Sequence, residues 1–89
     1  MQYIVTYSAD ARADLRKLEK STAERIIKKI VFWSSQPNPL HFSKPLKGAV
    51  GKYRFRVGDY RIIFKLDKSG NLIILFILVI RHRREIYRV

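Results

Sequence analysis

The chain contains no cysteine. That absence excludes a disulfide scaffold, a thiolate metal site and a cysteine nucleophile. It also suits a reducing compartment, so a cytoplasmic protein is expected. Histidine is nearly as scarce, with only the two residues His41 and His82, and without thiolates or a matched carboxylate they form no metal cluster. No metal and no cofactor is expected. The seven acidic residues include no pair spaced for acid–base work. A reaction here must run on cationic side chains, a tyrosine or a histidine. Long apolar runs are missing too: the longest, Leu72 to Ile80, has nine residues, where a membrane-spanning helix needs about 20. The segment Met1-Gln2-Tyr3-Ile4-Val5-Thr6-Tyr7 lacks the basic start and apolar stretch of a signal peptide. No phosphate-cradling P-loop occurs. Gly48-Ala49-Val50-Gly51 matches a GxxG RNA clamp in spacing alone and reads as a hinge.

Positive charge is what the chain has in excess. Nineteen Lys and Arg against seven Asp and Glu leave +12 over 89 residues. A polyanion is therefore the first partner to consider: nucleic acid, an acidic protein or an anionic surface. The excess is lopsided, with +4 in residues 1–44 and +8 in residues 45–89. The partner should meet mainly the second half.

Residues 2–7 alternate and are rich in β-formers, which predicts a strand. Ser8 can cap the helix that follows, with Asp10 and Asp14 early and Lys17 and Lys20 late, as the helix dipole favours. Its apolar stripe is Ala11, Leu15 and Leu18. Ser21-Thr22-Ala23-Glu24 has the spacing of a capping box for a second helix, one that buries Ala23, Ile26, Ile27, Ile30 and Trp33 and ends before Pro37 and Pro39. Residues 36–51 form a long connection, either a plain crossover or a functional loop. Three strands follow: Lys52–Val57, Tyr60–Leu66 and Leu72–Arg81. The expected fold is a single α+β domain over residues 1–89, in the order β-α-α-β-β-β. A helical hairpin would pack on a small twisted, mainly antiparallel four-stranded sheet.

The hairpin between the middle strands carries the functional argument. A two-residue turn at Gly58-Asp59 pairs Val57 with Tyr60 and fixes every later pair. Tyr53, Phe55, Val57, Tyr60, Ile62 and Phe64 then share the core face. The other face presents Lys52, Arg54, Arg56, Arg61 and Lys65, with Arg56 opposite Arg61 and Lys52 opposite Lys65. Like charges directly opposite cost up to about 1 kcal/mol per pair. An anion bound between them would offset that cost; arginines splayed into solvent would reduce it. Pairing Leu66 with Leu72 would add Ile73, Leu75, Ile77, Val79 and Arg81 to this face, followed by His82, Arg83, Arg84 and Tyr87. Arginine forks suit phosphate, and tyrosine or histidine rings stack on unpaired bases. The cluster reads as a single-stranded RNA site. No helix is spare to enter a DNA groove.

Three segments together resemble the RelE/ParE superfamily of toxins: Lys47-Gly48, Tyr53-Arg54-Phe55-Arg56-Val57-Gly58-Asp59-Tyr60-Arg61-Ile62-Ile63-Phe64, and Arg81-His82-Arg83-Arg84-Glu85-Ile86-Tyr87. The likeness spans the chain. It implies a toxin held inactive by an acidic antitoxin. It also implies either RelE-like, metal-free endoribonuclease action on mRNA in the ribosomal A site, or ParE-like inhibition of DNA gyrase on the same fold. A cationic RNA-binding module without chemistry is the third reading. In the RelE-like case the resemblance gives Arg61, Arg81 and Tyr87 catalytic roles, with Lys47, Lys52, Arg54, Arg56 and Arg83 along the RNA. Typical RelE members have lysines where this chain has Arg54 and Arg56. Arginine does not give up its proton, so the general base falls to Lys52, His82 or Tyr87.

Overall fold

The computed structural model describes residues 2–86. The elements run β1 (Gln2–Tyr7), α1 (Ala9–Arg16), α2 (Lys20–Ser34), a 3-10 turn (Pro39–Phe42), β2 (Lys44–Pro45), β3 (Lys52–Val57), β4 (Tyr60–Ser69), β5 (Leu72–His82) and α3 (Arg83–Ile86). The strands lie in the order β1-β5-β4-β3-β2. β1 is parallel to β5 and the other pairs are antiparallel. The α+β class is the one expected, and the β-α-α-β-β-β order is kept with β2 and the short α3 added. The sheet has five strands instead of four, because Lys44–Pro45, inside the long connection, pairs with Arg54 and Tyr53. No helix among the described residues is long and apolar enough to cross a membrane.

Ser8 caps α1 as its residue type predicts, its hydroxyl accepting the Ala11 amide. The second cap differs. α2 begins at Lys20 behind Glu19, which makes no side-chain cap bond. The join is so short that Ser21 already lies within the first turn. α2 buries Ile26, Ile30 and Trp33, spaced four and three apart on one face. Ile27 falls one position off that stripe and is exposed. Trp33 stacks on Phe55 at 4.4 Å, and Phe55 on Phe64 at 4.3 Å. With Ala11, Val57, Ile62, Leu75, Ile77 and Ile80 they form the core between helices and sheet.

The β3–β4 register is the one the turn dictates, from Val57↔Tyr60 to Lys52↔Lys65. Gly58 has φ +56°, and no non-glycine residue among those described has a positive φ. A positive φ at the first central position alone is the type II′ pattern.

The β4–β5 pairing departs from expectation. Its turn is only Gly70-Asn71, so Ser69 pairs with Leu72 and Leu66 with Leu75. Leu75 and Ile77 therefore lie on the core face, fully buried, and Ile73 shares their parity. Leu78 then stands unpaired between Ile77, opposite Phe64, and Val79, opposite Ile63. This bulge reverses the parity again and returns Val79 and Arg81 to the outer face.

Beyond Tyr7 the outer edge of β5 is taken up by α1. Ser8 donates its amide to the Ile77 carbonyl at 2.9 Å and its hydroxyl to that of Leu78 at 2.6 Å. The Asp14 carboxylate accepts the Ile80 amide at 2.9 Å. The edge groups that a strand would have paired are bonded by the start and the third residue from the end of one helix.

Candidate functional site

Three arginines stand in one row across the outer face: Arg56 pairs with Arg61, and Arg61 with Arg81. Two residues along, Arg54 lies between Lys44 on β2 and Ile63 on β4. Beyond it Lys52 faces Lys65. The row follows from the Gly58-Asp59 turn, which fixes the first pair, and from the Leu78 bulge, which brings Arg81 to the same face.

Arg61 is the unusual member. It is only 7% exposed, and among the described residues it forms no ion pair with a carboxylate. Its Nη1 donates weakly to the carbonyls of Gly58 and Tyr60, at 3.4 and 3.5 Å. Arg56 Nε also leans on the Gly58 carbonyl, at 3.4 Å. Burying an unpaired guanidinium between two others is costly, and an anion placed against the row would offset that cost.

Arg81 is held differently. Its Nε lies 3.3 Å from Asp14 Oδ2, and its Nη1 is 4.0 Å from Glu85 Oε2. Arg83 lies 3.7 Å from Asp59 and donates its backbone amide to the Asp59 carbonyl at 2.7 Å. The last helix is thereby tied to the β3–β4 turn.

A concavity of about 820 Å³ opens on this face. Pro45, Leu46, Ile63, Leu78 and Val79 supply apolar wall, and Lys47, Lys52, Arg54, Arg81 and Glu85 supply charge. A smaller one of about 110 Å³ lies between Phe42, Lys44, Arg54, Arg56 and Arg61. Arg54 borders both. An apolar wall ringed by cations suits a flat base with its phosphates at the rim.

The structure thus brings together Lys47, Lys52, Arg54, Arg56, Arg61 and Arg81. It sets Arg83 beside Asp59, at the turn end of the row. His82 goes elsewhere: it pairs with Tyr60 on the core side of the strand, edge-on to that ring at 5.4 Å. Its Nδ1 accepts the Arg84 amide at 3.3 Å. Tyr87 lies outside the described residues.

Sequence reasoning missed Asp14, Glu85 and Lys44. Asp14 reads as an ordinary helix-dipole residue. Lys44 sits in what reads as a loop. The spacing of Arg81 and Glu85, four apart at a strand-to-helix junction, is the one available signal for Glu85.

Residues 5–87 match the profile of the family described as ParE toxin of type II toxin-antitoxin system, parDE. Among solved structures, the RelBE2 toxin–antitoxin complex from Mycobacterium tuberculosis is similar at 30% identity over 93% of this chain and 100% of that chain, with a TM-score of 0.64. The archaeal RelE–RelB complex from Pyrococcus horikoshii is similar at 28% identity over 93% and 97%, with a TM-score of 0.69. The intact RelBE complex from E. coli shares the fold at 20% identity over 90% and 95%, with a TM-score of 0.70. No curated protein matches the chain in sequence.

Proposed function

The chain belongs to the RelE/ParE superfamily of toxins of type II toxin–antitoxin systems, and from that membership we propose that residues 1–89 act as one RelE-like domain, a metal-independent endoribonuclease on mRNA in the ribosomal A site. The observation that carries this reading is Arg61, buried, unpaired with any carboxylate among the described residues, and flanked in register by Arg56 and Arg81. A cluster assembled at this cost is suited to the pentavalent phosphorane of RNA transesterification, whose charge exceeds that of the ground state.

In this mechanism the 2′-hydroxyl loses its proton and its oxygen attacks the adjacent phosphorus. The P–O5′ bond breaks and the 5′-oxygen takes a proton from solvent, leaving a 2′,3′-cyclic phosphate and a 5′-hydroxyl. Arg61 stabilises the phosphorane and Arg81 the departing 5′-oxygen. Arg54, Arg56, Lys47 and Arg83 hold the backbone, and Tyr87 orients a base. Of the three candidates for the base, Lys52 borders the concavity and is the one we assign to take the 2′-proton, while His82 lies across the sheet and Tyr87 lies outside the described residues.

An acidic antitoxin is the partner we propose besides the ribosome. One relative is described as a toxin–antitoxin complex and another as a RelE–RelB complex. The outer face also pairs its cations with apolar Ile4, Ile74, Phe76 and Val79, which an acidic amphipathic segment would cover. Of the residues expected on this face, Val79 is there, while Leu75 and Ile77 are buried on the other.

The matched family description names parDE, which favours gyrase inhibition as the second reading. Inducing the protein in a host while following both mRNA integrity and plasmid supercoiling separates the two. Fragmented mRNA with normal supercoiling supports the nuclease. Relaxed plasmid with intact mRNA supports the gyrase inhibitor, and no toxicity counts against both.

A further inference from the structure

Asp14 is a carboxylate for which the nuclease mechanism has no use. It lies on α1, 8% exposed, where β5 has run past the end of β1. Its Oδ2 accepts the Ile80 amide at 2.9 Å and lies 3.3 Å from Arg81 Nε. One oxygen therefore accepts from the backbone of β5 and forms the ion pair with Arg81, the side chain that ends the arginine row. The helix is anchored at its start too, by the Ser8 hydroxyl on the Leu78 carbonyl. Asp14 is thus fixed relative to β5 on both sides of the bulge.

Arginine presents its donors in a rigid planar fork. Engaging Nε from the α1 side leaves the two terminal amino groups free of Asp14. Glu85, at 4.0 Å from Nη1, is too far for a hydrogen bond. Arg56, by contrast, is exposed and among the described residues has only the long contact to Gly58.

We propose that Asp14 is a positioning residue for Arg81, fixing the guanidinium plane through Nε so that its terminal amino groups face an anion in the concavity shared with Lys52 and Arg54. The inference rests on the nuclease reading of that site. A carboxylate that merely neutralised Arg81 would have the opposite effect. Removing its charge would strengthen the anion site, whereas removing a positioning residue weakens it.

Single-turnover cleavage of ribosome-bound mRNA by wild type, Asp14→Asn, Arg81→Ala and the double variant tests this. Asparagine keeps an oxygen for the Ile80 amide. Asp14→Asn should lower the maximal rate about tenfold or more, since small misplacements of a catalytic group are costly. Half-saturation should hold, and no further loss should appear in the Arg81→Ala background. An Asp14→Asn rate at or above wild type overturns the proposal, as does the same loss with and without Arg81. If wild type cleaves and Arg81→Ala does not, an unaffected Asp14→Asn sinks this proposal alone. A wild type that never cleaves sinks the nuclease reading and this proposal with it. Proton exchange at arginine Nε–H, followed by 15N NMR on wild type, is independent of folding of the variants. Arg81 should exchange markedly more slowly than Arg56, and equal exchange would overturn the assignment.

Discussion

Arg61 holds a full positive charge with 7% of its surface in solvent and a second arginine on either side in register. Replacing a buried, uncompensated ion with an apolar side chain of similar volume is neutral or stabilising. Arg61→Leu should therefore raise the melting temperature, by about 4–8 °C if about 1 kcal/mol of repulsion is relieved. The same variant should lose about 10²-fold or more in cleavage, as removal of a transition-state donor does. A calorimetric scan beside the rate measurement checks both signs, and a large fall in melting temperature would make the residue structural. Lys52→Arg keeps a long basic side chain but one that does not give up its proton, so if Lys52 is the base it should cost about 10²-fold; full activity would move the base elsewhere. His82→Gln, on the opposite face, should lose far less than the about 10²-fold a general base contributes. The facing of Arg56 and Arg61 was legible in sequence, because a two-residue turn fixes the sum of paired residue numbers. The Asp14–Arg81 contact was not, since the two residues lie 67 positions apart and an aspartate in a first helix looks like a dipole residue.

β5 shows why one strand was read correctly and its neighbour only in part. β3 and the start of β4 alternate apolar and charged residues, so period two exposes their faces. Leu72–Ile80 is apolar throughout, and such a run carries no parity to betray a bulge at Leu78. Pairing Leu66 with Leu72 also implies a longer turn than the Gly70-Asn71 observed. These two effects cancel at Val79 and Arg81 but not at Leu75 and Ile77. The hairpin that carries the row depends on Gly58, whose φ is +56° and whose absent Cβ would lie 3.3 Å from the Arg25 guanidinium. Gly58→Ala should cost about 1–3 kcal/mol, read as a lower melting temperature. An unchanged melting temperature would mean that the turn relaxes freely and does not fix the register.

At the scale of the molecule, one sheet face is covered by α1 and α2, while the other gathers cations on β2, β3 and β4, with Arg81 at the end of β5, and apolar side chains on β1 and the rest of β5. The overall +12 was legible from composition. Its division into a charged and an apolar half was not, because it depends on the order β1-β5-β4-β3-β2. A partner drawn in by that charge should associate markedly more slowly between about 50 mM and 500 mM salt, with dissociation changing less. Stopped-flow mixing with the acidic antitoxin measures this, and salt-independent association would point to apolar contacts alone. The most direct test of the arginine row as a catalytic phosphate site is to map the ends of an mRNA translated in a purified ribosomal system. Wild type should leave 2′,3′-cyclic phosphate on the upstream fragment and 5′-hydroxyl on the downstream one, at A-site positions, with none from Arg61→Ala. Intact mRNA under wild type, or equal cutting by Arg61→Ala, would contradict it.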